Sequence, residues 1–469
     1  MINDQPDPFS GFYIFTVTGG AVAFLPAAGL PLETTAVIQD KAGREIYRMD
    51  APPGLTINNF RAQEYRGKPV LTWWEGTAAG AQTTAALDAG VCKVADEHYQ
   101  VIATLRPSTG VGADAHECRL TPDGRALITS IASVPYDLSA IGGPRDGWAQ
   151  DWYANVLDVE TGETLFSWDS MAHVPITDGY HDRWDPVSAF IMGGESWMTW
   201  HINSIALDSN GNLLISMRQM STVYDVDIHT GEILWQVGGK HSSFAMGPGT
   251  EFAFQHDPEM TGNVLHLFNN NSDGSMYLGD TSMMWLDLDM ESMTANLAGK
   301  IGSPGNAVTV AMGNIQTLPG GYSFGSWGTV PRLTEYGPRG EQIYEAAPQT
   351  GPYRSTLQPW NGTPSTAPAL LYRQENHESP ARGIRATTGA IHPAAHAIWN
   401  GATQVHRWRV LHGATASTLT PLTTVDWNGR DTEIPLTDPT GLYELQALDT
   451  AGDIIGQTDP APLTLSTAD

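Results

Sequence analysis

The sequence predicts an all-β fold, a six-bladed β-propeller followed by a small immunoglobulin- or fibronectin-like β-sandwich. Three observations carry this reading. Glycine (49) and proline (31) are frequent and spread along all 469 residues, while helical periodicity is hard to find. Short β runs recur as a two-part unit, six times between about residues 10 and 350. Beyond that point the texture changes to alternating short strands.

The unit pairs a short β run with an acidic turn and a second β run. Its clearest copies join 125–130 to 157–168, and 212–217 to 226–235. Looser copies join 263–268 to 285–289, 321–327 to 333–340, 68–74 to 94–100, and 11–15 to 38–47. Each copy supplies strands for one four-stranded blade, and radial stacking buries the faces that no blade can bury alone. The Asp-x-x-Thr-Gly-Glu segments at 158–163 and 227–232 read as hairpin turns, with glycine where φ is positive. Their acids are therefore turn residues. The propeller is expected over residues 8–350. Residues 351–384, rich in Pro, Thr and Ser, read as a linker or closing segment, and 385–469 as the sandwich.

Charge narrows the partners. Lys and Arg total 24 against 51 Asp and Glu, a formal charge of −27. Such a surface repels phosphate backbones and anionic membranes, so no nucleic-acid or membrane partner is expected. No apolar run is long enough to cross a bilayer, and the N-terminus as given has no export signal. The expectation is a cytoplasmic chain, or one outside the cell if a leader was removed. Cys92 and Cys118 are too few for a disulfide framework and fit a reducing compartment. The assembly is left open, a homodimer included.

A propeller lines its axis with the first strand of each blade. Just upstream of successive units lie Arg61 and Gln63, then His116 and Glu117, then His201 and Asn203, then Gln255, His256 and Asp257, then Asn314. One polar set per blade converges on the axis, which is the pattern of an active site in a concave pocket. The bland alternative is a layer of hydrogen-bonded core histidines closing the ring. Three imidazoles can also hold a metal ion, but neither a metal nor another cofactor is assigned. Ten of the fifteen methionines fall between Met217 and Met312. They read as blade packing or as a greasy pocket for an aromatic ligand, with Trp197 and Trp200 as further walls.

These residues resemble a known family. The stretch 201–216 opening at His201-Ile-Asn203, then Ser221–Tyr224, then 231–240, then Phe252-Ala-Phe-Gln-His-Asp257 is similar to the arylsulfotransferases, the actinobacterial and fungal branch most of all. The likeness extends to 65–75, to 115–117, to 313–316, and to the tail at 399–410. The resemblance implies a six-bladed propeller that moves a sulfuryl group from one phenol to another without a nucleotide. It implies His201 and His256 as oxyanion-binding histidines, supported by Asn203 and Asn314. Two features of the family are missing. The sixth-blade run 322–328 has no histidine to carry the sulfuryl group, and the blade-five segments 268–274 and 281–285 have no arginine. His116 and Arg218 are the residues that can stand in.

The expected site is therefore His201, His256 and His116 as catalytic residues. Asn203, Arg61, Gln63, Glu117, Arg218, Gln255, Asn314 and Trp327 are expected around a small aromatic or hydrophobic substrate. Two other functions fit the same residues. One is acid–base chemistry on a hydrophobic molecule by the axial histidines. The other is a propeller that only binds a ligand or a protein.

Overall fold

The computed structural model describes residues 7–19, 34–77, 90–108, 111–181, 183–184, 196–375, 392–436 and 440–466. Six antiparallel sheets follow one another along the chain, as the repeat predicts. Blade two runs Thr56–Tyr65, Lys68–Gly76, Val91–Ala95 and Val101–Leu105 from its inner to its outer strand. Blade three begins at Ala113–Leu120, blade four at Ile202–Leu207, blade five at His256–Thr261 and blade six at Asn314–Leu318. Blade five carries an extra two-residue strand, Ala245–Met246, parallel to its outer edge.

Blade one is assembled from both ends of the propeller. Tyr13–Thr18, Thr35–Asp40 and Glu45–Asp50 supply its outer three strands. Its inner strand is Ser355–Gln358, paired antiparallel with Tyr13–Thr16. Each inner strand touches the next, and the last touches the first, so the ring closes. The segment expected as a linker thus contributes a strand to the ring. It also contributes Ala369–Glu375, which pairs along its whole length with His392–Ile398 in the second domain. Its prolines and threonines between Gln358 and Ala369 mark the passage from one sheet to the next, and residues 376–384 of the expected linker lie outside the described residues.

The second domain is a sandwich. One sheet holds Ala369–Glu375, His392–Ile398, Asp431–Ile434 and Leu465–Ser466. The other holds Arg407–Gly413, Thr420–Asp426, Leu442–Leu448 and Ile454–Gln457. Ala395, Ala397 and Ile434 of the first pack against Trp408, Val410 and Leu445 of the second. The sandwich sits on blades one and two. Asn400 exchanges two hydrogen bonds with the Arg48 backbone, and the Tyr99 hydroxyl donates to the Gly401 carbonyl at 2.7 Å.

The acidic turns are turns. The Asp158 and Asp227 carboxylates accept the backbone N–H of Thr161 and Thr230, each at 2.8 Å. Gly162 and Gly231 follow at φ 73° and 77°, where a side chain would be strained. The methionines are mostly packing: Met217, Met220, Met283, Met284 and Met312 are buried in or between blades. Trp197 and Trp200 lie in the core shared by blades three and four, not on a pocket wall.

The cysteines correct the sequence reading. Cys92 and Cys118 form a disulfide across a separation of 26 residues. It ties the third strand of blade two to the inner strand of blade three. Reduction, or Cys92→Ser with Cys118→Ser, is expected to cost about 2–4 kcal/mol. The check is the urea midpoint with and without dithiothreitol, which should move in wild type and stay fixed in the double variant.

Candidate active site on the propeller axis

The inner strands begin at one end of the axis, and their first residues form a histidine cluster. His201 stands just before the blade-four strand and His256 opens that of blade five. His116 lies inside the blade-three strand. Non-glycine residues with positive φ gather here: His201 (34°), Phe254 (55°), Asp257 (51°) and Met312 (65°). Such backbone costs on the order of 1–3 kcal/mol each and persists only where surrounding packing enforces it.

His116 and His201 face each other, Nε2 to Nε2, at 3.1 Å. On the far side of its ring, His116 Nδ1 meets the Asp114 carboxylate at 2.5 Å. An ionised carboxylate only accepts, so His116 carries its proton on Nδ1 and bares Nε2. His201 must then be the donor across the gap, with its proton on Nε2. Its Nδ1 is buried and has no hydrogen-bond partner, as a bare lone pair tolerates better than an N–H. Trp152 stacks on the His201 ring at 4.8 Å and meets His116 edge-on at 5.4 Å.

His256 is held differently. Its Nδ1 bonds the Asn270 side-chain oxygen at 2.7 Å, and its Nε2 accepts the Met312 N–H at 3.2 Å. Both nitrogens are occupied, so His256 is neutral and presents no free donor. Burial first, and the charge of Arg218 next, hold its pKa well below the usual histidine value. His201 is pushed the same way by burial, then by His116 and Arg218.

Arg218 completes the cluster from the loop after the second strand of blade four. Its backbone N–H bonds the His201 carbonyl at 3.0 Å. Its guanidinium lies 5.6 Å from the Phe254 ring centre and donates to the Val310 carbonyl at 2.6 Å. Burial lowers it to about 10, so it remains a cation at neutral pH.

Further along the same inner strands lies a second layer, one of charge. Glu117 accepts from Arg61 and from Arg354, the latter at 2.8 Å. Arg354 also reaches Asp257 at 3.3 Å, and Arg119 joins Asp257 at 3.2 Å and Glu259 at 2.5 Å. A cavity of about 330 Å³ opens beyond it, lined by Arg61, Gln63, Arg119, Glu259, Gln316 and Arg354 among others. Tyr353 lies between the layers, its hydroxyl donating to the carbonyls of His116 (3.3 Å) and Asn203 (3.4 Å).

The structure therefore divides the expected site. It brings His116, His201, His256 and Arg218 together. Arg61 and Glu117 belong to the charged layer. Asn203, Gln63, Gln255 and Asn314 are taken by backbone. Asn203 donates to the Gln255 carbonyl at 2.7 Å, and Gln63 clamps Cys118 and Leu120. Asn314 clamps Ser355 through both its oxygen and its nitrogen. Gln255 bonds Ser216, Met217 and Thr222. Side-chain amides mimic the peptide group, so one per blade can latch the next inner strand where no ladder runs. Trp327 is fully buried beside Phe268, its indole N–H donating to Thr334. Sequence reasoning missed Asp114, Asn270, Trp152 and Arg354. The pair Asp114-x-His116 was visible as a spacing that lets a carboxylate reach its own strand's imidazole. Arg354 was not, because its strand lies outside the counted repeat.

A family model described as Arylsulfotransferase (ASST) matches residues 61–348, more than half of the chain. No curated protein matches. Among solved structures, a protein of unknown function from Bacteroides caccae is 11% identical with a TM-score of 0.41, covering 74% of this chain and 99% of that one. The periplasmic gluconolactonase of Pseudomonas aeruginosa is 10% identical with a TM-score of 0.39, covering 74% and 99%. BamB from Moraxella catarrhalis is 11% identical with a TM-score of 0.26, covering 83% and 91%.

Proposed function

The chain belongs to the arylsulfotransferase family, and on that premise we propose that it transfers a sulfuryl group between two phenolic compounds at the axial histidine cluster, with His116 as the carrier. The observation that supports this most is the relay from Asp114 through His116 to His201, with its two Nε2 atoms 3.1 Å apart.

Sulfuryl transfer needs a nucleophile and donors for the oxygens that gather charge. The Asp114 carboxylate fixes the Nδ1–H tautomer of His116 and stabilises the positive charge its ring gains on attack. His116 Nε2 attacks sulfur as the S–O(aryl) bond breaks, and the electron pair leaves on the phenolate oxygen. The acceptor phenol oxygen then attacks sulfur as it gives up its proton, the N–S bond breaks, and its pair returns to Nε2. His201 Nε2–H, freed from His116 when sulfur enters between them, donates to a sulfuryl oxygen. Arg218 supplies the cation, in place of the arginine absent from blade five. His256, bonded at both nitrogens, keeps the Met312 backbone and Asn270 in position.

The test is nitrophenolate release from para-nitrophenyl sulfate with phenol as acceptor. Acceptor-dependent release that His201→Ala lowers about 10²–10³-fold is the expected result. No release by the wild-type protein across a panel of aryl sulfates and phenols overturns the proposal.

A further inference from the structure

A second carboxylate-backed histidine stands at the same end of the propeller. His181 lies in the long connection from the outer strand of blade three to the inner strand of blade four. Its Nε2 bonds the Asp273 carboxylate, which belongs to the loop after the second strand of blade five. Asp273 is fixed rather than adventitious. Its other oxygen accepts the backbone N–H of Ser275 at 2.9 Å and of Met276 at 2.7 Å, and the Ser275 hydroxyl at 2.9 Å. Burial by itself would lift this carboxyl. The His181 bond and the two N–H donors outweigh it and hold it well below the usual carboxylate range.

The tautomer follows as it did for His116. An ionised Asp273 only accepts, so His181 carries its proton on Nε2 and bares Nδ1. His181 is partly exposed, its side chain 12% accessible, and among the described residues Nδ1 has no hydrogen-bond partner. Its ring lies 6.4 Å from Phe254, the ring on which Arg218 rests at 5.6 Å. Arg218 in turn donates its backbone N–H to the His201 carbonyl at 3.0 Å. A base with an open lone pair therefore shares the Phe254 ring with Arg218, the cation assigned above to the sulfuryl group. The transfer steps above leave one task without a residue, which is the movement of the phenolic proton.

We infer that His181, backed by Asp273, is the general base and acid for the phenol. This rests on the sulfuryl-transfer reading. As the acceptor oxygen attacks sulfur, its O–H bond breaks and the proton passes to His181 Nδ1. The N–S bond on His116 breaks in the same step. When the next donor reacts, its leaving phenolate takes that proton from Nδ1, and His181 returns to its starting state. Asp273 stabilises the imidazolium that exists between the two. Because the connection that holds His181 is not part of the repeat, nothing in the blade pattern singles this residue out.

The experiment compares wild type, His181→Gln and Asp273→Asn across a series of substituted phenol acceptors with para-nitrophenyl sulfate as donor. Phenols with a pKa near about 10 need a base, whereas polyfluorinated phenols are already ionised at the assay pH. His181→Gln is expected to lose about 10²–10⁴-fold with the former and much less with the latter. Asp273→Asn keeps an oxygen to accept the Nε2–H, so it preserves that hydrogen bond. It should show the same dependence on acceptor in smaller degree. An equal loss for every acceptor in both variants, or no loss, overturns the role of His181 while leaving sulfuryl transfer intact. Absence of transfer in the wild type overturns both.

Discussion

His116→Ala is expected to remove the sulfuryl carrier and lower turnover of para-nitrophenyl sulfate by at least about 10³-fold, as losing a nucleophile does elsewhere. Two readouts separate this from a packing defect. With donor alone, the wild-type protein should release one nitrophenolate per chain in a burst, because His116 Nε2 takes the group before any acceptor arrives. The variant should show no burst. Added imidazole should restore part of its turnover, since the truncated side chain leaves a ring-sized space between Asp114, Trp152 and Tyr353. His201→Ala should keep a burst, slowed but of full amplitude, because it removes a donor and not the acceptor of the group. A His116→Ala variant that turns over within about threefold of wild type would sink the assignment. A burst of unchanged amplitude in that variant would sink it equally. The buried histidines also set a sign for pH. His201 and His256 have folded pKa values below the unfolded value of 6.5. Below pH 6.5 the unfolded chain therefore binds more protons than the folded one, and stability falls as the solution is acidified.

Much of this was legible because propellers write their architecture into the sequence repeatedly. The turns at 158–163 and 227–232 fix the register of two blades, and the inner strand of each later blade lies just upstream of its repeat. The repeat alone therefore directs His116, His201 and His256 to the axis. Ring closure was not legible in the same way. The inner strand of blade one is four residues, Ser355–Gln358, in a segment whose prolines and threonines read as a linker. No periodicity survives in so short a strand, and its pairing with Tyr13–Thr16 is a contact across the whole length of the propeller. Residues that lie on that strand or reach it, Tyr353 and Arg354 above all, were lost with it. The roles of the amides were misread for another reason. A polar residue at the start of an inner strand can face the axis or the neighbouring backbone. Sequence reports only that it is polar, and Asn203, Gln255 and Asn314 chose the backbone.

The charged layer gives the largest expected change in stability. Glu117 is fully buried and meets Arg61, Arg354 and, at 3.8 Å, Arg119. Burial alone would raise its pKa, but those three cations overcome it and hold the carboxyl well below its usual range. Arg354 precedes the strand that closes blade one, and its other nitrogen donates to the Asn203 carbonyl of blade four at 2.9 Å. Glu117 thus anchors the closing strand to two other blades. Glu117→Gln keeps the shape and removes the charge, leaving three buried guanidiniums against Asp257 and Glu259. Breaking a buried pair in this way costs about 3–5 kcal/mol, read as a lower urea midpoint. The penalty belongs to the unpaired cation and not to the loss of a favourable bond. Glu117→Gln combined with Arg354→Met should therefore recover part of the stability lost by the single change. The dependence on pH distinguishes charge from packing. Since the folded pKa lies below the unfolded 4.5, the stabilisation by Glu117 is complete above about that pH. It is lost as the carboxyl protonates at lower pH, so the gap between wild type and variant should narrow on acidification. A gap that stays constant down to the acid transition, or a cost under about 1 kcal/mol, would mean that the closing strand is held by its backbone pairing alone.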